Sequence, residues 1–370
     1  MVLGFIRHIE TLVPETSYTQ AFASSVMESW SGSEKSKRYI RKVYSDSGIE
    51  RRHSVIADFG NEGADSMLFQ RVDGVMKEPT TGDRNEIYVD AAKKMIPEIA
   101  RNAIDNCPGV EREDITHVIT VSCTGFFNPG PDLLVIESLD LNPAVERYNL
   151  GFMGCYAAFP ALKMADQFCA ADPNANVLII CLELCSLHLQ VKDDLDSIVA
   201  NSVFSDGAAA AIVSGTPPVD GSKAYEINHF ASRLTRDGSA DMAWDIGDRG
   251  FNIVLSKYVA RIIGAEIDGI VSGIFESCDA SPDEIDVWAV HPGGRAIVDK
   301  IQESLELDPS QVAPSRKVLS EYGNMSSATV LFVLREILES GSVNNGQKVC
   351  AIAFGPGLTI EASLLNAVVS

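Results

Sequence analysis

Residues 154–168 read GCYAAFPALKMADQF, and residues 323–337 read GNMSSATVLFVLREI. Each opens with a glycine, follows it with one polar or reactive side chain (Cys155, Asn324), and continues into apolar residues at helical spacing. The two stretches stand about 170 positions apart, and so do their flanks. Upstream, EDITHVITVSCTG (113–125) resembles DEIDVWAVHPGG (283–294); downstream, NVLIICLEL (176–184) resembles KVCAIAFGP (348–356). Three blocks in the same order at nearly one offset imply an internal duplication. A fourth pair, DGAAAAIVSG (206–215) and PGLTIEASLL (356–365), is offset by only 150, so the first half carries about 22 extra residues near 185–206.

The runs HVITVS (117–122), NVLIICLEL (176–184), AAAAIVS (208–214), VWAV (287–290), KVCAIAF (348–354) and TIEASLL (359–365) are short, apolar and bounded by turns. That predicts buried strands. Helical patterns at 85–107, 155–170, 250–277 (with a break near Gly264) and 326–340 lie between them. Strands alternating with helices indicate an α/β class with central mixed or parallel sheets. The expected architecture is two similar βαβαβ-type halves, residues 1–215 and 225–370, joined by the turn-rich segment GTPPVDGSK (215–223).

With 370 residues, 46% hydrophobic and 22% charged, a large packed core is feasible. The net charge of −21 argues against nucleic-acid or anionic-membrane binding through the overall field. An anionic ligand would need a local basic patch, and KSKRYIRKVYSDSGIERR (35–52) is the densest one. The eight cysteines include no CxxC pair, and CLELC (181–185) lacks a second ligand pair. Free thiols in a reducing compartment are expected, with no zinc site or disulfide framework. MVLGFIRHIE is broken by Arg7, His8 and Glu10 before any signal-like apolar stretch forms, and no run of 18 apolar residues occurs. The expectation is a cytoplasmic protein without a membrane span.

If the sheets stack with their helices buried between them, Cys155, His291 and Asn324 converge at the centre. Taken singly, each has a structural explanation: core filling for Cys155, a turn for His291, an N-cap for Asn324. Together on a duplicated scaffold they suggest chemistry. A thiol at a helix N-terminus beside an imidazolium is expected to have a depressed pKa and to accept acyl groups from thioesters. His291 would hold that thiolate as an ion pair. His291 and Asn324 would then donate to one oxygen, at roughly 3–4 kcal/mol per donor. Such a site suits the enolate left when a malonyl thioester loses CO2, and that carbanion could attack the acyl group on Cys155.

Here the sequence resembles the type III polyketide synthases, the chalcone synthase-like branch of the thiolase superfamily. GFMGCYAAFPALKMA is similar to the family's nucleophile motif, WAVHPGGRAIVD to W-x-x-HPGG-x-AI-x-D, GNMSSATVLFVL to GNMSSA-x-VLF-x-L, and AFGPGLTIEASLL to GFGPG-x-T-x-E. The match runs in order over nearly the whole chain. Arg295 stands where plant members usually have proline, and Ala353 replaces the first glycine of GFGPG.

The resemblance implies a thiolase-like fold in a layered αβαβα arrangement and a homodimer. It assigns Cys155 as acyl acceptor and His291 with Asn324 to decarboxylation and oxyanion stabilisation. It implies gatekeeper roles for Phe204, in NSVFSDGAAA, and for Phe251. Cys123, Thr124, Ser326 and Pro356 would line the cavity. Asn128 falls where plant enzymes carry a methionine that reaches into the partner. For CoA, Lys42 matches a basic position, Arg38 and Arg41 could replace lysines missing at Tyr39 and Asp46, and Gly293 and Gly294 would approach the pantetheine arm. The implied substrates are an acyl-CoA starter and malonyl-CoA, with iterative decarboxylative condensation, cyclisation, and no metal or redox cofactor. A single-condensation β-ketoacyl synthase III-like enzyme and an inactive acyl-CoA-binding paralogue are the competing readings.

Overall fold

The computed structural model describes residues 4–235, 240–256, 259–276 and 280–369. The first half contains β1 (Phe5–Leu12), β2 (Ser17–Thr19), α1 (Gln20–Trp30), α2 (Glu34–Asp46), β3 (Arg51–His53), β4 (Gln70–Val72), β5 (Val75–Lys77) and α3 (Thr81–Asp105). It continues with β6 (His117–Ser122), α4 (Pro131–Leu139), β7 (Glu146–Gly151), α5 (Ala158–Ala171), β8 (Asn176–Leu184), α6 (Leu195–Val203) and β9 (Asp206–Ser214). The second half holds β10 (Lys223–Leu234), β11 (Met242–Gly247), β12 (Gly250–Leu255), α7 (Val259–Phe275), β13 (Val287–Val290) and α8 (Arg295–Ser304). It ends with α9 (Ala313–Tyr322), α10 (Thr329–Glu339), β14 (Lys348–Gly355) and β15 (Thr359–Val369).

Nine strands form one mixed sheet in the order β13-β14-β15-β10-β1-β9-β8-β6-β7. Outward from the β1–β10 junction the two sides match. β8 runs parallel to β6 and antiparallel to β9, as β14 runs parallel to β13 and antiparallel to β15. The junction itself has only two register pairs, Phe5↔Glu226 and Ile6↔Tyr225.

Side-chain alternation explains the layers. In β8, Val177, Ile179 and Cys181 face a central core, while Leu178, Ile180 and Leu182 face an outer one with α3. In β14, Val349, Ala351 and Ala353 face that same central core, while Cys350, Ile352 and Phe354 face α7 and α8. Both faces are buried, which is why these strands read as continuous apolar runs. The central core also takes Ala158, Ala161 and Ala165 of α5 and Val330, Val333 and Ile337 of α10. Helices therefore lie outside, between and outside the two sheet halves, the αβαβα arrangement.

The six expected strands all form. The expected helix at 250–277 is instead the strand β12 and then α7, which runs through Gly264 without the expected break. β12 pairs with β11 across a turn at Asp248–Arg249, which the chain leaves at Gly250 with φ +105°. The apolar run FNIVL is a half-buried hairpin strand, and the helical period begins only at Val259. None of the seven described cysteines forms a disulfide, and Cys278 lies outside the described residues. Among the described residues no helix is long and apolar enough to cross a membrane.

Candidate active site

Cys155 sits in the turn between β7 and α5, three residues before the helix. Gly154 has φ +85°, and a Cβ there would lie 2.4 Å from Pro356 Cδ. A Cβ on Gly355 would meet the Tyr156 ring at 2.4 Å. The Cys155 turn and the FGPG turn thus interlock through glycines, which fixes Cys155 against the second half of the chain.

Asn324 is 2% exposed and precedes a short 3-10 turn and α10, as Cys155 precedes α5. Its Oδ1 accepts from the Ser326 backbone N–H at 2.9 Å. That bond orients the amide, so Nδ2 turns toward Cys155 Sγ, 4.0 Å away. His291 follows β13 and is 1% exposed; its backbone N–H donates to the Ile352 carbonyl at 2.8 Å. Neither of its ring nitrogens has a partner among the described residues. Buried imidazoles are ordinarily bonded, and one left open on a cavity wall is free to meet a ligand.

One cavity, enclosing about 690 Å³ of empty space with its mouth, brings Cys155, His291 and Asn324 together. Phe204, Cys123, Ser326 and Pro356 join its wall. Phe204 is joined to Asn324 by a β-bridge, and its carbonyl accepts from Arg52 Nη1 at 2.8 Å. Phe251 stands behind this wall rather than in it. Its ring packs on Phe152 and Trp244 at 5.6 and 6.0 Å between centroids.

Thr124 does not line the cavity. Its hydroxyl donates to Glu183 at 2.9 Å and accepts from the Leu184 N–H, because Glu183 is fully buried and needs donors. Cys123, through its N–H and its thiol, and Ser327 Oγ complete that carboxylate's shell.

The expected thiolate–imidazolium pair is not preset. Burial pushes the Cys155 thiol up to about 11 and pulls His291 down to about 3. Desolvation outweighs what the start of α5 offers, so burial here favours neutral sulfur and neutral imidazole.

A wider mouth lies between α2 and the start of α8. It is lined by Lys42, Tyr39, Asp46, Gly293, Gly294 and Arg295, among others. Positions 39, 42 and 46 share one helix face. Arg41 points elsewhere, pairing with Glu28 on α1 at 2.8 Å, and Arg38 is exposed outside this wall. Arg41 and Arg38 therefore do not fill the places expected of them.

The sequence reading missed Trp244, which lines the cavity from β11, and Glu183 and His188, which brace it. A carboxylate inside the buried run NVLIICLEL was the one signal available for Glu183.

Residues 10–217 match the family described as chalcone and stilbene synthases, N-terminal domain, and residues 226–369 match its C-terminal domain. This chain belongs to that family, the type III polyketide synthases. A solved relative, PKS-I from the brown alga Ectocarpus siliculosus, superposes with a TM-score of 0.91 at 30% identity, covering 99% of this chain and 98% of its own. The 1,3,6,8-tetrahydroxynaphthalene synthase of Streptomyces coelicolor is 32% identical over 87% of this chain and 81% of its own length. Probable polyketide synthase 1 of Dictyostelium discoideum is 31% identical over 99% of this chain, which spans 12% of that much longer protein. Members of the type III polyketide synthase family are acyltransferases, and the thiolase-like fold seen here is theirs.

Proposed function

We propose that this type III polyketide synthase loads an acyl group from a CoA thioester onto Cys155 and extends it repeatedly with malonyl-CoA before cyclisation. In loading, Cys155 Sγ gives its proton to His291 and attacks the thioester carbonyl. The bond from carbonyl carbon to CoA sulfur breaks, and the departing thiolate takes the proton. In extension, malonyl-CoA loses CO2 and its electron pair becomes an enolate. His291 and Asn324 Nδ2 donate to the enolate oxygen, and its carbon attacks the Cys155 thioester, releasing the sulfur. Lys42 and the Gly293–Gly294 backbone serve the CoA end, and no cofactor beyond the thioesters enters the scheme. The homodimer and the cytoplasmic location belong to the same proposal.

The reading is carried by one observation: Asn324 is held amide-outward by the Ser326 N–H, beside an imidazole with both nitrogens unpartnered, in the cavity that holds Cys155. Two donors that do not need to reorganise form an oxyanion site. Cys155→Ala should abolish the acyl-enzyme seen by intact mass while CO2 release from malonyl-CoA stays detectable. Asn324→Ala should slow that CO2 release about 100- to 1000-fold. Full-length product from Cys155→Ala would overturn the assignment, and a radiolabelled malonyl count of one unit per product would select the single-condensation alternative.

A further inference from the structure

Helix α6 ends at Val203, so the carbonyls of residues 201–204 have no partner within it. Other parts of the chain satisfy all four. Arg52 Nη1 donates to Asn201 at 2.7 Å and to Phe204 at 2.8 Å. Tyr44 Oη adds a bond to Asn201 at 3.0 Å, and Gln20 Nε2 donates to Ser202 at 2.7 Å. The remaining carbonyl, that of Val203, accepts from the backbone N–H of Asn324 at 2.9 Å. The Ser205 N–H returns a bond to the Asn324 carbonyl at 2.9 Å, which completes the bridge between the two segments.

Asn324 thus takes its place from two sources. The Ser326 N–H turns its amide, and the exit turn of α6 holds its backbone. Arg52 fixes that turn at both ends, residues 201 and 204. Its stem also runs against the residue before Asn324: a Cβ on Gly323 would lie 3.1 Å from Arg52 Cγ. The guanidinium carbon stands 5.5 Å from the centroid of the Tyr44 ring, so the planar group is held by that face as well as by its bonds. Its charge suits the negative end of α6. A lysine ammonium has neither the plane nor the fork, so it would hold this turn less firmly. Arg52 comes from β3, α6 from the long link between β8 and β9, and Asn324 from the second half, so one side chain joins three separate stretches of chain.

We propose that Arg52, supported by Tyr44, is a positioning residue for the condensation. It acts through the exit turn of α6 to set Asn324 Nδ2 where that amide donates to the enolate oxygen. This rests on Asn324 being that donor and adds the group that holds it in place. Misplacing a reacting or donating group by about 1 Å costs on the order of 100-fold in rate, so a clamp remote from the substrate still governs the step.

CO2 release from malonyl-CoA and acyl loading of Cys155 from acetyl-CoA, the latter by intact mass, are measured on the whole chain at saturating thioester. Arg52→Gln should slow CO2 release about 10- to 100-fold and change loading less than about threefold. Arg52→Lys keeps the charge and can reach one of the two carbonyls, so it should recover part of that loss. Tyr44→Phe removes a single donor and no bulk; it should slow CO2 release about two- to tenfold and keeps the test open if Arg52→Gln does not fold. The deciding measurement is the double variant. On an Asn324→Ala background, Arg52→Gln or Tyr44→Phe should slow CO2 release by no more than about twofold further, because the effect passes through the missing amide. A loss as large on that background as in the unmutated chain, or equal losses in loading and CO2 release, would overturn the positioning role. So would CO2 release that neither Tyr44→Phe nor the Arg52 variants slow. If Asn324→Ala alone leaves CO2 release unchanged, the enolate-donor reading itself falls, and this role with it.

Discussion

His188 and His291 are both drawn down to about 3 by burial, from an ordinary value of 6.5. Each is neutral in the fold and protonates on unfolding at mildly acidic pH. The unfolded chain then binds more protons, so stability present above pH 6.5 is lost as the pH falls toward 3. Asp206 acts in the opposite sense: burial lifts it to about 6 from 3.8, so the folded state holds a proton first and gains stability as the pH falls through that window. The test is therefore a difference between variants. In His188→Gln the amide can still donate to the Thr124 carbonyl and accept from the Phe251 N–H. Between about pH 4 and 6 its stability should fall less steeply than that of the unmutated chain, by about 1.4 kcal/mol per pH unit, in urea titrations at each pH. Equal slopes would mean that His188 is not buried neutral. His188 had no legible signal, because a lone histidine in CSLHLQ carries no period or motif. Cys155 and Asn324 were legible because the duplication put them at the same point of a repeated unit, and His291 because it closes the strand VWAV just before the turn PGG. Their protonation was not, since burial is a property of three dimensions.

Helix α2 shows why charge density alone misplaced the basic residues. KSKRYIRKV has five cations in nine positions, yet a helix face selects only those three and four apart. Lys42 shares the mouth with Tyr39 and Asp46, while Arg41 is turned onto Glu28. Lys42→Ala should raise the KM for CoA thioesters about three- to fivefold, the effect of one exposed charge, and the effect should shrink as salt is raised. Arg41→Ala should leave KM unchanged in the same assay. A larger effect at Arg41 would mean that the nucleotide lies on the other face of α2. The insertion was read more successfully. β8 and β9 are joined by residues 185–205, whereas β14 and β15 are joined by 356–358. The longer link carries His188, α6 and Phe204, so the asymmetry between repeats supplies the wall that the repeat itself lacks.

At the scale of the whole chain the duplication raises a question of cooperativity. A chain of 370 residues usually divides into separate domains, and the halves 1–215 and 225–370 are the proposed division. Yet the central core takes strands and helices from both, and Arg335 Nη1 of α10 donates to Glu10 Oε1 of β1 at 3.0 Å. The glycines before Cys155 and after Phe354 interlock across the same boundary. Separating the halves would expose the alanine-rich inner faces of both sheet halves, which neither half can cover with its own outer helices. By contrast, the β1–β10 seam is too short to hold the halves by hydrogen bonding. Apolar burial in the middle layer is what joins them. Calorimetry of the intact chain should therefore show one transition, with calorimetric and van't Hoff enthalpies in a ratio near one per folded unit. A Val330→Ala or Val333→Ala change in α10 should lower that single midpoint without splitting it, at a cost of about 1–3 kcal/mol. Two resolved transitions, only one of them moved by the α10 change, would show instead that each half closes its own core, and the shared placement of Cys155 and Asn324 would then depend on docking rather than on folding.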